Sequence, residues 1–373
     1  MTNIPLFRCD LDDEVHKALT PIFRSGALAA GPAVGSLEAA MSARLGRDAV
    51  AMSDASHALM LALKLAGVEP GSDVLTLSFN CLGSTTPITN VGATPVWVDV
   101  TPGTAQMSVE DARAAITPRT RAIVVYHVAG YPAPISDLRE LARESGVKLI
   151  EDANAALGAI TPEGPAGALG DFGVISFYAN RLVNGVDGAV LVCGTPADAE
   201  RARKLRRYGV DAPRFRDAWG EIDPSADVPQ IGMYAPMTNV NAALALGNLS
   251  RAEDRLARIR ANAAALAAGL QDLPGNRVLP AGKGESSFWT CLVMTEQRDR
   301  VMYGLKAAGV QASKLHHPNH EYSGFGARSR DLPGTMLLAR QLLALPCGWW
   351  VTSEEISQMV SLISELSTTG PET

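Results

Sequence analysis

Between residues 48 and 195, apolar runs of strand length alternate with stretches of helical length. The runs cover 49–52, 74–77, 95–98, 122–126, 147–150, 173–176 and 190–192. They are apolar throughout rather than alternating with polar residues, which predicts strands buried on both faces, in a mainly parallel sheet covered by helices. The intervening stretches 57–65, 109–116 and 137–145 supply helices. After residue 195 the pattern changes. Residues 208–232, rich in Pro, Asp, Gly and Trp, read as a long loop, and 239–270 carry an Ala/Leu/Arg pattern with helical period. A second alternating unit follows, with a strand at 288–294, helices near 298–308 and 332–342, and a terminal helix beginning near Thr352. At 373 residues the chain exceeds the roughly 250 to 300 residues that one core serves. The expected architecture is α/β, with a large domain over 1–240, a bridging helix over 241–270 and a smaller C-terminal α/β domain over 271–373.

Composition narrows the partners. Hydrophobic content of 47%, charged content of 19% and a net charge of −6 describe a globular chain with no general attraction for nucleic acid or anionic membrane. The five cysteines, Cys9, Cys81, Cys193, Cys291 and Cys347, are widely spaced and form no C-x-x-C pair, so neither a disulfide framework nor a zinc site is expected. With no run approaching the roughly 18 apolar residues of a membrane span and no leader pattern at the N-terminus, a cytoplasmic location is expected.

In open α/β sheets, ligands bind beyond the carboxyl ends of the strands. The residues following the apolar runs are polar and chemically capable. Ser53-Asp54-Ala55-Ser56-His57 opens a helix, where free backbone N–H groups suit a phosphate and Ser or Asp suits a helix cap. His127 follows the fourth run and Glu151-Asp152-Ala153-Asn154 the fifth. Ser176 ends the sixth and leads into a loop containing Arg181.

These positions carry a resemblance that spans nearly the whole chain. Gly31-Pro32 with Glu38 and Leu45-Gly46, the stretch 115–123 followed by His127 and Gly130, Glu151-Asp152-Ala153, Ser176-Phe177-Tyr178, the segment 309–316 with Asn319, Tyr322 and Phe325, and the turn 346–350 occur in one order. That order resembles the sugar aminotransferases of the DegT/StrS type. The resemblance implies the fold type I architecture of enzymes using pyridoxal phosphate (PLP), and a homodimer with active sites at the subunit interface. It makes Asp152 the acid that pairs with the pyridine nitrogen and Ser176 the serine on the phosphate side. The family's phosphate-binding Gly-Thr pair appears as Ala55-Ser56, its ring-stacking aromatic as Cys81 and the glutamine after its aspartate as Ala155. The residue sent to the partner's phosphate appears as Tyr234.

The decisive departure is Arg181. It stands where the resemblance calls for the lysine that bonds PLP covalently. A guanidinium stays protonated and delocalised, so it neither condenses with an aldehyde nor shuttles protons between carbon atoms. Arg181 is instead expected to bind an anionic group, to stabilise an anionic intermediate, or to form an ion pair with a carboxylate such as Asp187. Proton transfer then falls to histidine, with His127 and His316 the candidates and His317 and His320 nearby. The run His316-His317-Pro318-Asn319-His320 invites a metal reading, but Pro318 opposes the helix that would align it, and no metal site is expected. Lys314 is the amine considered as a replacement, against a plain surface position. Two enzymatic readings remain. One uses non-covalent pyridoxamine phosphate (PMP), or PLP already joined to an amine substrate, for elimination, epimerisation or rearrangement of a sugar or cyclitol. The other is cofactor-free chemistry in the same crevice. A third reading is a non-catalytic homologue that pairs as a heterodimer with a lysine-bearing aminotransferase.

Overall fold

A computed structural model of the chain describes residues 3–9, 13–101, 103–326 and 330–368. Seven strands build the main sheet or lie at its start: β1 (Ala49–Met52), β2 (Asp73–Leu77), β3 (Thr94–Val98), β4 (Thr120–Tyr126) and β5 (Lys148–Asp152) come first. A small hairpin of β6 (Ile160–Thr161) and β7 (Gly164–Pro165) intervenes, and β8 (Phe172–Ser176) and β9 (Ala189–Cys193) complete the sheet. The order across it is β1-β9-β8-β5-β4-β2-β3. Every predicted run is a strand, but the sheet is mixed rather than parallel throughout. β9 runs antiparallel to both β8 and β1. Doubly buried strands carry the same apolar signature in either direction, so direction is set by the connection. The segment between β8 and β9 contains no helix to carry the chain back across the sheet, and the chain reverses.

Side chains of successive strand residues enter opposite cores. Leu75, Ile123, Val125 and Leu149 pack on one face, while Val74, Val124, Ile150 and Val174 pack on the other. The expected bridging helix is two helices, Asn239–Leu249 and Ala252–Leu270. The break is held by Asn248, whose Nδ2 donates to Asn184 O at 2.9 Å and whose Oδ1 accepts from Arg255 Nη1 at 2.9 Å. Ala242 and Ala245 of the first helix join the core beside β1, β8 and β9. Ile259, Ala263, Leu266 and Leu270 of the second pack against a separate antiparallel sheet of β10 (Asn276–Val278), β11 (Cys291–Thr295) and β12 (Leu342–Leu345). The helices Arg298–Ala307 and Ser353–Thr368 cover that sheet. The strand expected from residue 288 begins only at Cys291, because Phe288 has φ of 47° and cannot continue a strand. Among the described residues no helix is long and apolar enough to cross a membrane.

Beneath the strand ends lies a closed polar network. Glu151, fully buried, accepts hydrogen bonds from Gly167 N at 2.8 Å and from Leu169 N and Gly170 N at 2.6 Å. His127 Nε2 donates to the same carboxylate at 2.9 Å, and His127 Nδ1 accepts from Ala133 N at 3.0 Å. Burial pushes the Glu151 carboxyl up, but these donors outweigh it and hold the group below its ordinary 4.5. A carboxyl with a depressed folded pKa stabilises the fold above its unfolded pKa, and that contribution disappears as pH falls through the folded value. Glu151→Gln should therefore lower the unfolding free energy at neutral pH by about 3 kcal/mol, since a buried donor set loses its charged acceptor. It should also flatten the loss of stability on acidification below pH 4.5. Urea unfolding at neutral and acid pH reads both, and an unchanged acid limb would remove Glu151 from this role.

Candidate functional site

The carboxyl ends of the parallel strands open into a cavity of about 340 Å³. It is walled by the start of helix Ala55–Leu65, by the turn containing Cys81 and Ser84, by the ends of β5 and β8, and by the loop bearing Tyr178, Arg181 and Asp187. Of the expected site residues, Ala55, Ser56, Cys81, Asp152, Ser176 and Arg181 all line this one cavity.

Asp54 caps the helix at its wall. Its Oδ1 accepts from His57 N at 2.9 Å, and its Oδ2 accepts from Ser53 Oγ at 2.9 Å and contacts the His57 ring. Burial raises the Asp54 carboxyl, and the bonds from His57 and Ser53 bring it below its usual range. Ser56 Oγ donates to Gly83 O at 3.0 Å. Across the cavity, Cys81 Sγ lies 3.2 Å from Ser84 Oγ, and burial followed by the charge of Asp152 pushes the thiol up. At the end of β8, Ser176 Oγ accepts from Tyr178 N at 3.1 Å.

Asp152 is oriented on one side only. Its Oδ1 accepts from Asn154 Nδ2 at 2.8 Å and Asn154 N at 3.2 Å, while its Oδ2 is buried and has no hydrogen-bond partner. Asn154 also fixes Arg181, whose Nε donates to Asn154 O at 2.9 Å and whose Nη2 donates to Asn154 Oδ1 at 2.7 Å. Nη1 donates to Asn180 Oδ1 at 2.6 Å. The guanidinium carbon sits 4.4 Å from the centre of the Trp289 ring, which itself stacks on Phe7. Three of the five guanidinium N–H donors are thus engaged within the described residues. The ion pair with Asp187 does not form. Asp187 Oδ1 accepts from Gly188 N at 2.8 Å, and burial raises its carboxyl, with Asp54 adding to the effect.

The remaining candidates separate. His127 sits in the framework with both ring nitrogens engaged, away from the cavity wall. His316 approaches the site from the C-terminal part: its Nε2 is 3.3 Å from Tyr126 Oη and its ring packs edge-on to Phe79. Burial first, then the charge of Arg181, pushes its pKa down to about 3, so the ring is neutral. Burial raises the Tyr126 hydroxyl. Neutral His316 and the protonated Tyr126 hydroxyl thus share one hydrogen bond. His317 meets Glu321 at 3.0 Å and His320 meets Ser78 Oγ at 2.6 Å, so the three rings face different partners. Lys314 pairs with Asp299 at 2.9 Å, away from the cavity wall. Tyr234, exposed and stacked on Tyr208, also lies outside it.

Sequence reasoning gave no role to Asn154, Tyr126 or Trp289. Asn154 had a usable signal, standing two residues beyond Asp152 at a strand end. Tyr126 closes an apolar run and Trp289 lies in an expected strand, so both read as core.

The sequence pattern of the DegT/DnrJ/EryC1/StrS aminotransferase family matches residues 9–364. Among solved structures, the aminotransferase TlmJ from Streptoalloteichus hindustanus is 30% identical, with 98% of this chain and 99% of that one covered at a TM-score of 0.91. The sugar aminotransferase CalS13 from Micromonospora echinospora is also 30% identical, over 97% and 99% of the two chains at 0.91. DesI, solved in the presence of its TDP-sugar product, is 31% identical over 100% and 95% at 0.89. With agreement over nearly its full length in both pattern and architecture, this chain belongs to the DegT/DnrJ/EryC1/StrS aminotransferase family.

Proposed function

We propose that this chain acts on a sugar or aminocyclitol without a covalent link to its cofactor. It holds PMP, or PLP already joined to an amine substrate, and carries out an elimination, epimerisation or related rearrangement. The observation that carries this reading is Arg181 on the cavity wall beside Asp152, with no lysine among the lining residues.

The residues fit such a group. Asp152 Oδ2 is a buried acceptor lacking a donor, and a pyridine N–H supplies one. The start of helix Ala55–Leu65 and the hydroxyl of Ser176 offer donors to the group's tail. When bound, PLP or PMP supplies an electron-withdrawing ring on which carbanionic charge is spread. The protein's share is orientation and charge. Asn154 holds Asp152 and Arg181 in fixed relation, and the Arg181 guanidinium faces a developing or resident anionic oxygen. Tyr126 and His316, hydrogen-bonded to each other, both feel the Arg181 charge and form a proton-carrying pair beside it. Exposed Tyr234 is assigned to the cavity of a partner subunit, in a homodimer or in a heterodimer with a lysine-bearing homologue.

Absorbance titration of the purified protein with PLP and PMP, followed by borohydride treatment and intact mass, should show saturable binding with no reduced adduct on the protein. An adduct mapping to any lysine, or no binding of either compound, overturns the reading. In a second test, Arg181→Lys should acquire a PLP adduct that borohydride fixes at position 181, because the loop already directs that side chain at the cavity. Peptide mapping that finds position 181 unmodified would mean the loop does not present a side chain to the ligand.

A further inference from the structure

A second cavity, of about 450 Å³, lies among the C-terminal elements and shares no wall residue with the one beside Asp152. Its charged lining is three cations, Arg298, Lys314 and Arg340, against the single carboxylate Glu321. In a chain of net charge −6 that is a local reversal of sign. The nearby acids already have partners: Glu321 meets His317 at 3.0 Å, and Asp299, outside the lining, meets Lys314 at 2.9 Å and Arg298 Nε. The two arginines keep unused donors. Arg298 is only 7% exposed; its Nη1 donates to Ala339 O at 2.8 Å, and its Nη2 makes no hydrogen bond among the described residues. The Arg340 side chain, on helix Pro333–Gln341, has no hydrogen-bond or ion-pair partner among them. Planar forks of this kind bind phosphate oxygens in pairs. Leu315, Met336 and Ala339 give the cavity an apolar side, and its volume falls within the roughly 300 to 1,000 Å³ of small-molecule sites. A bare phosphate leaves that side bare, whereas a phosphate ester covers it.

The wall toward the main sheet is His316. Its Nε2 meets Tyr126 Oη at 3.3 Å, and its ring lines this cavity. The segment carrying it is fixed. Ser313 N donates to Ala344 O of β12 at 3.1 Å and Ala344 N to Ser313 O at 2.8 Å, while Leu315 N donates to Ser313 Oγ at 3.0 Å. Leu315 itself has φ of 64°, so the ring is presented by a backbone held against its preference.

We propose that this second cavity binds a small phosphate ester, its phosphate between Arg298 and Arg340 and its organic body against Leu315 and Met336, and that occupancy is felt at Tyr126 through His316. The inference uses the Tyr126–His316 pair and does not rest on the cofactor reading. An anion placed against one edge of the His316 ring favours positive charge on that ring, and the ring's other edge carries the effect to the Tyr126 hydroxyl.

Calorimetric titration of the full chain with glucose 1-phosphate, at a pH above the second phosphate ionisation of roughly 6, reads the site. The ester should bind saturably and more tightly than inorganic phosphate. Arg340→Ala, an exposed position whose loss leaves the fold intact, should weaken it by about tenfold, the effect of one charge-assisted contact. Ser176→Ala, on the wall of the other cavity, should leave it unchanged. In histidine ¹⁵N spectra, with His316 identified by the signal missing from His316→Gln, that resonance should move as the ester is added and stay in place in Arg340→Ala. Inorganic phosphate binding as tightly as the ester overturns the organic half of the assignment. No saturable binding, or binding lost in Ser176→Ala and kept in Arg340→Ala, overturns the site and leaves the cofactor reading untouched. A His316 resonance that stays in place while the ester binds overturns the link to Tyr126.

Discussion

Two adjacent carboxylates at the end of β5 face opposite ways, and the site depends on that alternation. The strand's two-residue period sends Glu151 into the framework and Asp152 to the cavity. Glu151 gathers the backbone of residues 167–170 and the ring of His127 around one charge, which fixes where β5 ends and where β8 begins. Asp152 is left with one oxygen satisfied and one open. A buried carboxylate with an open oxygen is tolerated only on a rigid support, because relaxation of the strand end would let the oxygen find a partner or reach water. The closed network under Glu151 supplies that support, and the reactive geometry above it is a consequence.

Arg181 is accommodated by surroundings that treat it as a planar fork. Asn154 offers its backbone and side-chain oxygens to two edges of the guanidinium, Asn180 takes a third donor, and Trp289 covers the face. An ammonium has neither the flat face nor the spaced donors to fill those contacts, so the environment suits the residue that is present. Trp289 in turn is placed by the turn at Phe288, with its positive φ, and by the N-terminal Phe7 against its ring. The guanidinium thus ties the β8–β9 loop, the strand end of β5 and the C-terminal part of the chain to one point.

The legible features were those written as local patterns. Seven doubly apolar runs gave the sheet, and the polar residues at their ends gave most of the cavity wall. The direction of β9 was hidden because a doubly buried strand looks the same both ways. The break at Ser250 and Arg251 was hidden because neither residue interrupts a helical period; the buried Asn248–Arg255 contact holds it, and that contact joins residues seven apart, on either side of the break. His127 stood at a strand end like its true cavity neighbours, and only the facing Glu151 and Ala133 N–H show why its ring belongs to the framework. Asn154 was passed over for the opposite reason: its importance lies in serving two other residues rather than in chemistry of its own.

The pair formed by Tyr126 and His316 draws its state from Arg181. Burial alone disfavours the imidazolium, and the fixed guanidinium charge nearby disfavours it further, which is why the ring sits at about 3. A base that weak takes no proton from carbon at neutral pH while the cavity holds only the guanidinium. An anionic oxygen bound at Arg181 offsets the second cause and leaves burial as the remaining one. On the proposed reading, basicity at His316 would be coupled to what Arg181 holds, since Arg181 is the second cause of its low pKa. The coupling runs both ways, because a proton taken up through Tyr126 and His316 adds a positive charge that strengthens anion binding at Arg181. In the reading proposed above, charge and proton movement would then be governed by one contact, between the arginine and its ligand.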